Sequence, residues 1–222
     1  MSEVPFTNRR AAGQALADRL KARAGQDNVL VLALPRGGVP VAAEVARALD
    51  APLDVMVVRK LGMPGHEEFA MGAIASGGVT VLDESLLQRL RLDEDSLQAV
   101  IDKENRELAR RELAYRGERP YPDLQGKEVI LVDDGIATGA SMRAAIQAVN
   151  QLGAKHCTLA VPVAPSETLE GLANDVDEIV CVATPEPFRA VGQWYVEFGQ
   201  TSDDEVSSCL SDPTLRTRDT DA

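Results

Sequence analysis

Residues 128–141 read Glu-Val-Ile-Leu-Val-Asp-Asp-Gly-Ile-Ala-Thr-Gly-Ala-Ser. The apolar run from Val129 to Val132 has the pattern of a short strand buried on both faces. Two adjacent carboxylates, Asp133 and Asp134, follow where that strand should end. Gly135, Gly139 and small or hydroxylated residues come next, and a helical pattern sets in from Ser141. Backbone N–H groups in a small-residue loop and at a helix N-terminus can hold a phosphate. The carboxylates can accept hydrogen bonds from sugar hydroxyls. Strand, acidic pair, loop and helix start together describe a site for a phosphorylated sugar.

Working outward, residues 8–24 read as an amphipathic helix with Ala12, Ala15, Leu16 and Leu20 on one face, capped by Thr7 or Asn8. An apolar run over 29–34 is a central strand ending at Pro35, followed by a helix over 39–49. A second strand over 53–58 ends at Arg59-Lys60. Residues 61–68, with two glycines and a proline, read as a loop. Segments 69–75 and 79–82 pair as a hairpin across Ser76-Gly77-Gly78. A short helix over 83–90, a long one over 94–115 and a polar connection over 116–127 lead back to the opening stretch. A helix over 141–152 and strands over 156–162 and 178–183 follow. The alternation predicts an α/β fold: a parallel sheet of about five strands flanked by helices, forming one domain over 1–210. Residues 211–222 are expected to be a polar, disordered tail.

Ligands of such sheets bind beyond the carboxyl ends of the strands. Leu34-Pro35-Arg36-Gly37-Gly38, Arg59-Lys60 and Asp133-Asp134 fall at three such ends, so they should converge on one cleft. Gly37 and Gly38 allow close backbone approach, and Arg36 beside them suits a pyrophosphate.

The chain has 222 residues, enough for one α/β domain with a substantial core. No apolar run reaches the roughly 18 residues of a membrane span, and the N-terminus lacks a signal-peptide pattern. Cys157, Cys181 and Cys209 lie far apart in no metal-ligand spacing, which fits a cytoplasmic protein. The net charge of −12 argues against a broad nucleic-acid-binding face, although a few local cations can still hold an anionic substrate. His66-Glu67-Glu68 lacks the second histidine of a zinc protease motif.

The opening stretch resembles the phosphoribosyl pyrophosphate (PRPP) motif of type I phosphoribosyltransferases: four apolar residues, two acids, two mostly apolar positions, then Ala/Asp-Thr-Gly and two small residues. Residues 59–65 and 68–73 look like a group of predicted phosphoribosyltransferases with no settled acceptor. The resemblance implies that Asp133 and Asp134 take the ribose 2′- and 3′-hydroxyls. It implies that Ala137, Thr138, Gly139, Ala140 and Ser141 take the 5′-phosphate. Arg36, Gly37 and Gly38 correspond to the family's pyrophosphate loop, which often carries a strained or cis peptide. Arg36, Arg59 and Lys60 are the candidate catalytic cations facing pyrophosphate. His66, Glu67 and Glu68 belong to a candidate mobile loop that closes over the substrate and excludes water.

The reaction implied is displacement of pyrophosphate from PRPP by a nitrogen of a nucleobase-like acceptor, a step in nucleotide metabolism. Mg²⁺ would arrive with the PRPP phosphates, near Asp133 and Asp134, without a dedicated protein cage. Ala137 stands where hypoxanthine-type relatives carry an aspartate, so no general base comes from that loop. Residues 184–210 form a candidate hood over the acceptor, with Phe188, Val191, Trp194 and Tyr195 as its base-facing residues. A non-catalytic regulatory protein that only binds PRPP is the alternative. The expected partners are PRPP and a small acceptor, without nucleic acid or membrane; a homo-oligomer is left open, with 83–115 as a lid or a dimer surface.

Overall fold

The computed structural model describes residues 4–90 and 93–215, and the Glu68 and Leu90 side chains lie outside the described residues. In chain order the elements are α1 (Arg9–Leu20), β1 (Val29–Ala33), α2 (Gly38–Leu49), β2 (Leu53–Val55), β3 (Val58–Met63), β4 (His66–Ala75), β5 (Val79–Leu82), α3 (Glu84–Leu90) and α4 (Glu94–Arg116). They continue with β6 (Glu128–Val132), α5 (Ala140–Gln151), β7 (His156–Val163), α6 (Ser166–Leu172), β8 (Glu178–Ala183) and α7 (Asp203–Ser211).

The predicted sheet is there. Five strands lie in the order β2-β1-β6-β7-β8, all neighbours parallel. Every residue of β1 is buried, which is what a strand covered on both faces requires. Alternation splits it: Val29, Val31 and Ala33 pack with Leu16, Leu20, Val41 and Val45 of α1 and α2, while Leu30 and Leu32 pack with Met142, Ile146 and Val149 of α5. Each such valine or leucine contributes roughly 1.5–3 kcal/mol by leaving water. Asn8, not Thr7, caps α1, accepting the Ala11 N–H at 3.0 Å.

The strand expected over 53–58 does not stay in one piece. β2 stops at Val55, and the chain crosses into a separate antiparallel sheet, β3-β4-β5. The buried Ser76 marks the crossing, because its Oγ accepts the Val57 N–H at 3.0 Å and its own N–H donates to the Val57 carbonyl at 2.9 Å. Arg59 and Lys60 consequently lie inside β3 rather than at the end of a core strand. The expected loop over 61–68 is a correction too. Those residues form the β3–β4 hairpin, with Pro64 and Gly65 (φ 78°) as its turn. Gly62 marks a bulge, where the strand register shifts and a Cβ would come within 2.7 Å of the Glu67 carbonyl oxygen. His66, Glu67 and Glu68 are therefore strand residues.

A third, smaller core joins the segment before α1 to the segment after β8. Phe6 forms a parallel bridge with Tyr195 and packs with Ala12, Val163 and Ala183. The candidate hood segment is thus joined to residues that precede α1. Residues 211–215 are not the disordered tail expected: Ser211 closes α7, and Leu215 in a following turn is buried at 2% exposure. Residues 216–222 of the expected tail lie outside the described residues. Among the described residues, no helix is long and apolar enough to cross a membrane.

Candidate active site

The site lies where β1 and β6, adjacent and parallel, reach their carboxyl ends. The Leu34 N–H donates to the Val132 carbonyl at 2.8 Å, which ties the bend after β1 to the residue preceding the acidic pair. The Pro35–Arg36 peptide is cis. The two glycines that follow have no room for side chains. A Cβ on Gly37 would lie 2.1 Å from Asp134 Oδ2, and one on Gly38 would lie 2.8 Å from the Val132 carbonyl oxygen. The double-glycine bend and the acidic pair are therefore in direct contact, as convergence at the strand ends requires.

Asp133 and Asp134 are held differently. Asp133 accepts the Asp134 N–H through Oδ1 at 2.8 Å. Asp134 Oδ2 accepts from Arg9 Nε at 2.8 Å, with both side chains only 13% exposed. Burial pushes the Asp133 carboxyl well above the usual carboxylate range, and the neighbouring Asp134 charge pushes the same way. Burial also raises Asp134, with the Arg9 hydrogen bond acting against it. The loop over 135–139 turns the chain into α5 through Gly139, whose φ of 77° suits glycine. A cavity of about 240 Å³ lies against this loop, lined by Asp133, Thr138, Gly139, Ala140, Ser141 and Val191. Across the acidic pair, Arg9, Arg36, Gly37 and Asp134 line a second cavity of about 350 Å³. Arg36 Nη1 is 3.5 Å from Asp203 Oδ1, in the first turn of α7.

Alternation along β3 separates the other two cations. Arg59 turns toward α4 and donates to Glu104 Oε2 from Nε at 2.8 Å and Nη2 at 2.6 Å. Lys60 instead lines a cavity of about 470 Å³ between the hairpin and the start of α5, together with Thr138, Ala140 and Arg143. Lys60 thus shares a cavity with Thr138 and Ala140 of the candidate phosphate loop, whereas Arg59 is engaged by a carboxylate. At the hairpin, Glu67 lies 3.6 Å from Lys103 of α4, and His66 meets Phe69 edge-on at 6.3 Å.

The candidate hood residues also divide. Val191 packs on the loop, since a Cβ at Gly135 would come within 2.6 Å of it. Phe188 and Trp194 form a tilted pair 6.0 Å apart. Tyr195 is a correction: its ring is buried between Phe6 and Phe198, and its hydroxyl donates to the Asp134 carbonyl oxygen at 2.5 Å. It braces the acidic pair rather than offering a face to a base. Arg9, Phe198 and Asp203 border the site without having been singled out in the sequence. No local motif marks them, because they reach it from the first helix and from the last 25 described residues.

A family model described as a phosphoribosyl transferase domain matches residues 7–193. A Mycobacterium tuberculosis protein whose name provisionally places it among the phosphoribosyl transferases is 49% identical over 205 residues, covering 92% of this chain and 46% of that protein. The chain therefore spans about half the length of the curated relatives it matches. The crystal structure of TT1426 from Thermus thermophilus matches with a TM-score of 0.81 at 44% identity, covering 92% of this chain and 97% of that one. With a family model across most of its length and that geometry at its strand ends, this chain belongs to the phosphoribosyl transferase family.

Proposed function

We propose that the chain transfers the 5-phosphoribosyl group of PRPP to a nitrogen of a nucleobase-like acceptor and releases pyrophosphate. One observation carries the reading: the Gly37–Gly38 bend lies in contact with the Asp133–Asp134 pair, and the phosphate loop continues from that pair. An activated pentose bridging the two needs that proximity. Asp133 and Asp134 accept hydrogen bonds from the ribose 2′- and 3′-hydroxyls. Backbone N–H groups over 137–141, with the Thr138 and Ser141 hydroxyls, hold the 5′-phosphate at the start of α5. Arg36 and the bend hold pyrophosphate, with Lys60 reaching the substrate from the hairpin side.

As the C1–O bond breaks, its electron pair leaves with pyrophosphate, and the acceptor nitrogen closes on C1 and gives up its proton to solvent. The protein's part is positioning and charge stabilisation. Among the described residues no group of three or more His, Cys, Asp or Glu side chains converges as a metal cage. The oxygen-rich acidic pair suits Mg²⁺ that arrives on the substrate phosphates, where it would neutralise the departing pyrophosphate. The same reading assigns the chain to nucleotide metabolism in the cytoplasm.

The test is calorimetry of Mg·PRPP binding, followed by pyrophosphate release across a panel of bases. Asp133→Asn with Asp134→Asn should abolish PRPP binding, and unchanged affinity would refute the ribose site. Binding without turnover on any base would favour a regulatory protein.

A further inference from the structure

The acidic pair has a partner contributed by the other end of the chain. Arg9, the first residue of α1, donates from Nε to Asp134 Oδ2 at 2.8 Å and from Nη1 to the Gly199 carbonyl at 2.6 Å. Its guanidinium carbon lies 4.1 Å from the centre of the Phe198 ring. A carboxylate, a carbonyl and an aromatic face therefore fix the group on three sides. The main chain of Asp134 is fixed as well, by the Tyr195 hydroxyl on its carbonyl oxygen. Such a clamp exceeds what a surface ion pair needs, and it converges on one side chain of the site.

We propose that Arg9 is the positioning residue of the sugar subsite: by occupying Asp134 Oδ2 it keeps that carboxylate oriented, with Oδ1 left for a ribose hydroxyl. The inference rests on the phosphoribosyl reading above. The burial of both partners supports it, because a carboxylate deprived of its cation there is left uncompensated and turns toward water or takes a proton. Two other roles for Arg9 make different predictions. As a plain tie between α1 and the hood it would affect folding and no particular ligand. As a phosphate-facing cation, which its place in the Arg36 cavity allows, it would affect pyrophosphate.

The experiment is calorimetry of the whole chain with Mg·PRPP, ribose 5-phosphate and Mg·pyrophosphate in parallel. The proteins are wild type, Arg9→Ala, Arg9→Lys, Asp134→Asn and the Arg9→Ala/Asp134→Asn double variant. Arg9→Ala should weaken PRPP and ribose 5-phosphate by about tenfold or more, the scale of truncating a buried charged partner, while pyrophosphate stays within about twofold. Arg9→Lys should recover part of the loss, and Arg9→Ala should cost nothing further once Asp134 is Asn. Should Arg9→Ala fail to fold, Arg9→Gln carries the same comparison. Equal loss on all three ligands, additive losses in the double variant, or no loss at all overturns the proposal. A wild-type protein that binds neither PRPP nor ribose 5-phosphate sinks the phosphoribosyl reading itself; wild-type binding that Arg9→Ala leaves intact sinks only the role of Arg9.

Discussion

Gly37→Ala tests the contact on which the site depends. Gly37 has φ −61° and ψ −32°, a backbone that alanine adopts without strain, so the substitution probes space alone. The new Cβ would lie 2.1 Å from Asp134 Oδ2, 2.7 Å from its Cγ and 3.3 Å from Arg9 Nε. Ordinary carbon–oxygen contact is about 3.3 Å, so one side must yield by roughly 1.2 Å. The bend is tied to β6 through Leu34 and Val132, and the Asp134 carboxylate is tied to Arg9 at 2.8 Å. Either tie breaks if its group moves that far. A misplacement of about 1 Å costs roughly 100-fold in a positioned reaction, and overpacking costs about 1–3 kcal/mol of stability. In a domain of this size that is a fall of roughly 2–12 °C in the thermal midpoint. Losing one hydrogen bond to a charged carboxylate costs about 1.5–3 kcal/mol, so affinity for Mg·PRPP by calorimetry should drop by roughly tenfold or more. Gly171→Ala in α6 is the control, because its Cβ would meet only Arg143 Nη2 at 3.8 Å. If Gly37→Ala binds PRPP as the wild type does, the bend and the acidic pair do not act as one site.

Asp54→Ala leaves Arg116 buried without its carboxylate, a pair whose side chains are 8% and 4% exposed; chemical denaturation should show a loss of about 3–5 kcal/mol. Asp133→Asn should stabilise the ligand-free protein at neutral pH while removing PRPP binding. The folded pKa of Asp133 is raised above 3.8, so the native state holds a proton that the unfolded chain has lost, and stability falls as pH rises through that window. Unfolding free energies across pH 4–8 should therefore show a variant advantage that grows with pH; a flat difference contradicts the assignment. Gly139→Ala puts a side chain at φ 77° at the start of α5, which should cost about 1–3 kcal/mol and lower the thermal midpoint.

Much of the fold could be read from local pattern. The continuous apolar runs of β1 and β6 are hydrophobic on both faces, and only a covered parallel strand makes use of that. The acidic pair and the double-glycine bend were legible because each is a contiguous motif whose place at a strand end follows from topology. The path after β2 was not legible. Leu53 to Val58 is apolar but for Asp54, and the signal that splits it, a buried Ser76 hydroxyl on the Val57 N–H, comes from 19 residues away. The β3–β4 hairpin was hidden because glycine and proline serve a bulge and a two-residue turn as readily as a loop. The Tyr195 ring clusters in sequence with Phe188 and Trp194, yet its hydroxyl reaches the Asp134 carbonyl oxygen, a contact across 61 residues.

Arg9 and Arg36 show how burial assigns different work to one residue type. Both line the cavity beside Asp134, and both face an acid in the ligand-free protein. The Arg36–Asp203 pair is 3.5 Å apart with side chains 36% and 51% exposed, so solvent screens it and little is lost when the partner changes. Pyrophosphate can take Arg36 from Asp203 without leaving a buried charge behind. The Arg9–Asp134 pair is short and only 13% exposed on each side, so separating it strands both charges in a poorly solvated site. Substrate binding should therefore exchange the partner of Arg36 and keep that of Arg9. On the proposed function, in a chain of net charge −12, one guanidinium would receive an anionic leaving group while the other would hold the carboxylate proposed to grip the sugar. Asp203→Asn should then leave PRPP affinity unchanged or raise it by up to a few-fold, since it removes the resting competitor for Arg36 and keeps an amide oxygen to accept the Tyr115 hydroxyl. A loss of affinity instead would mean that Asp203 orients Arg36, and the division of roles drawn from burial would be wrong.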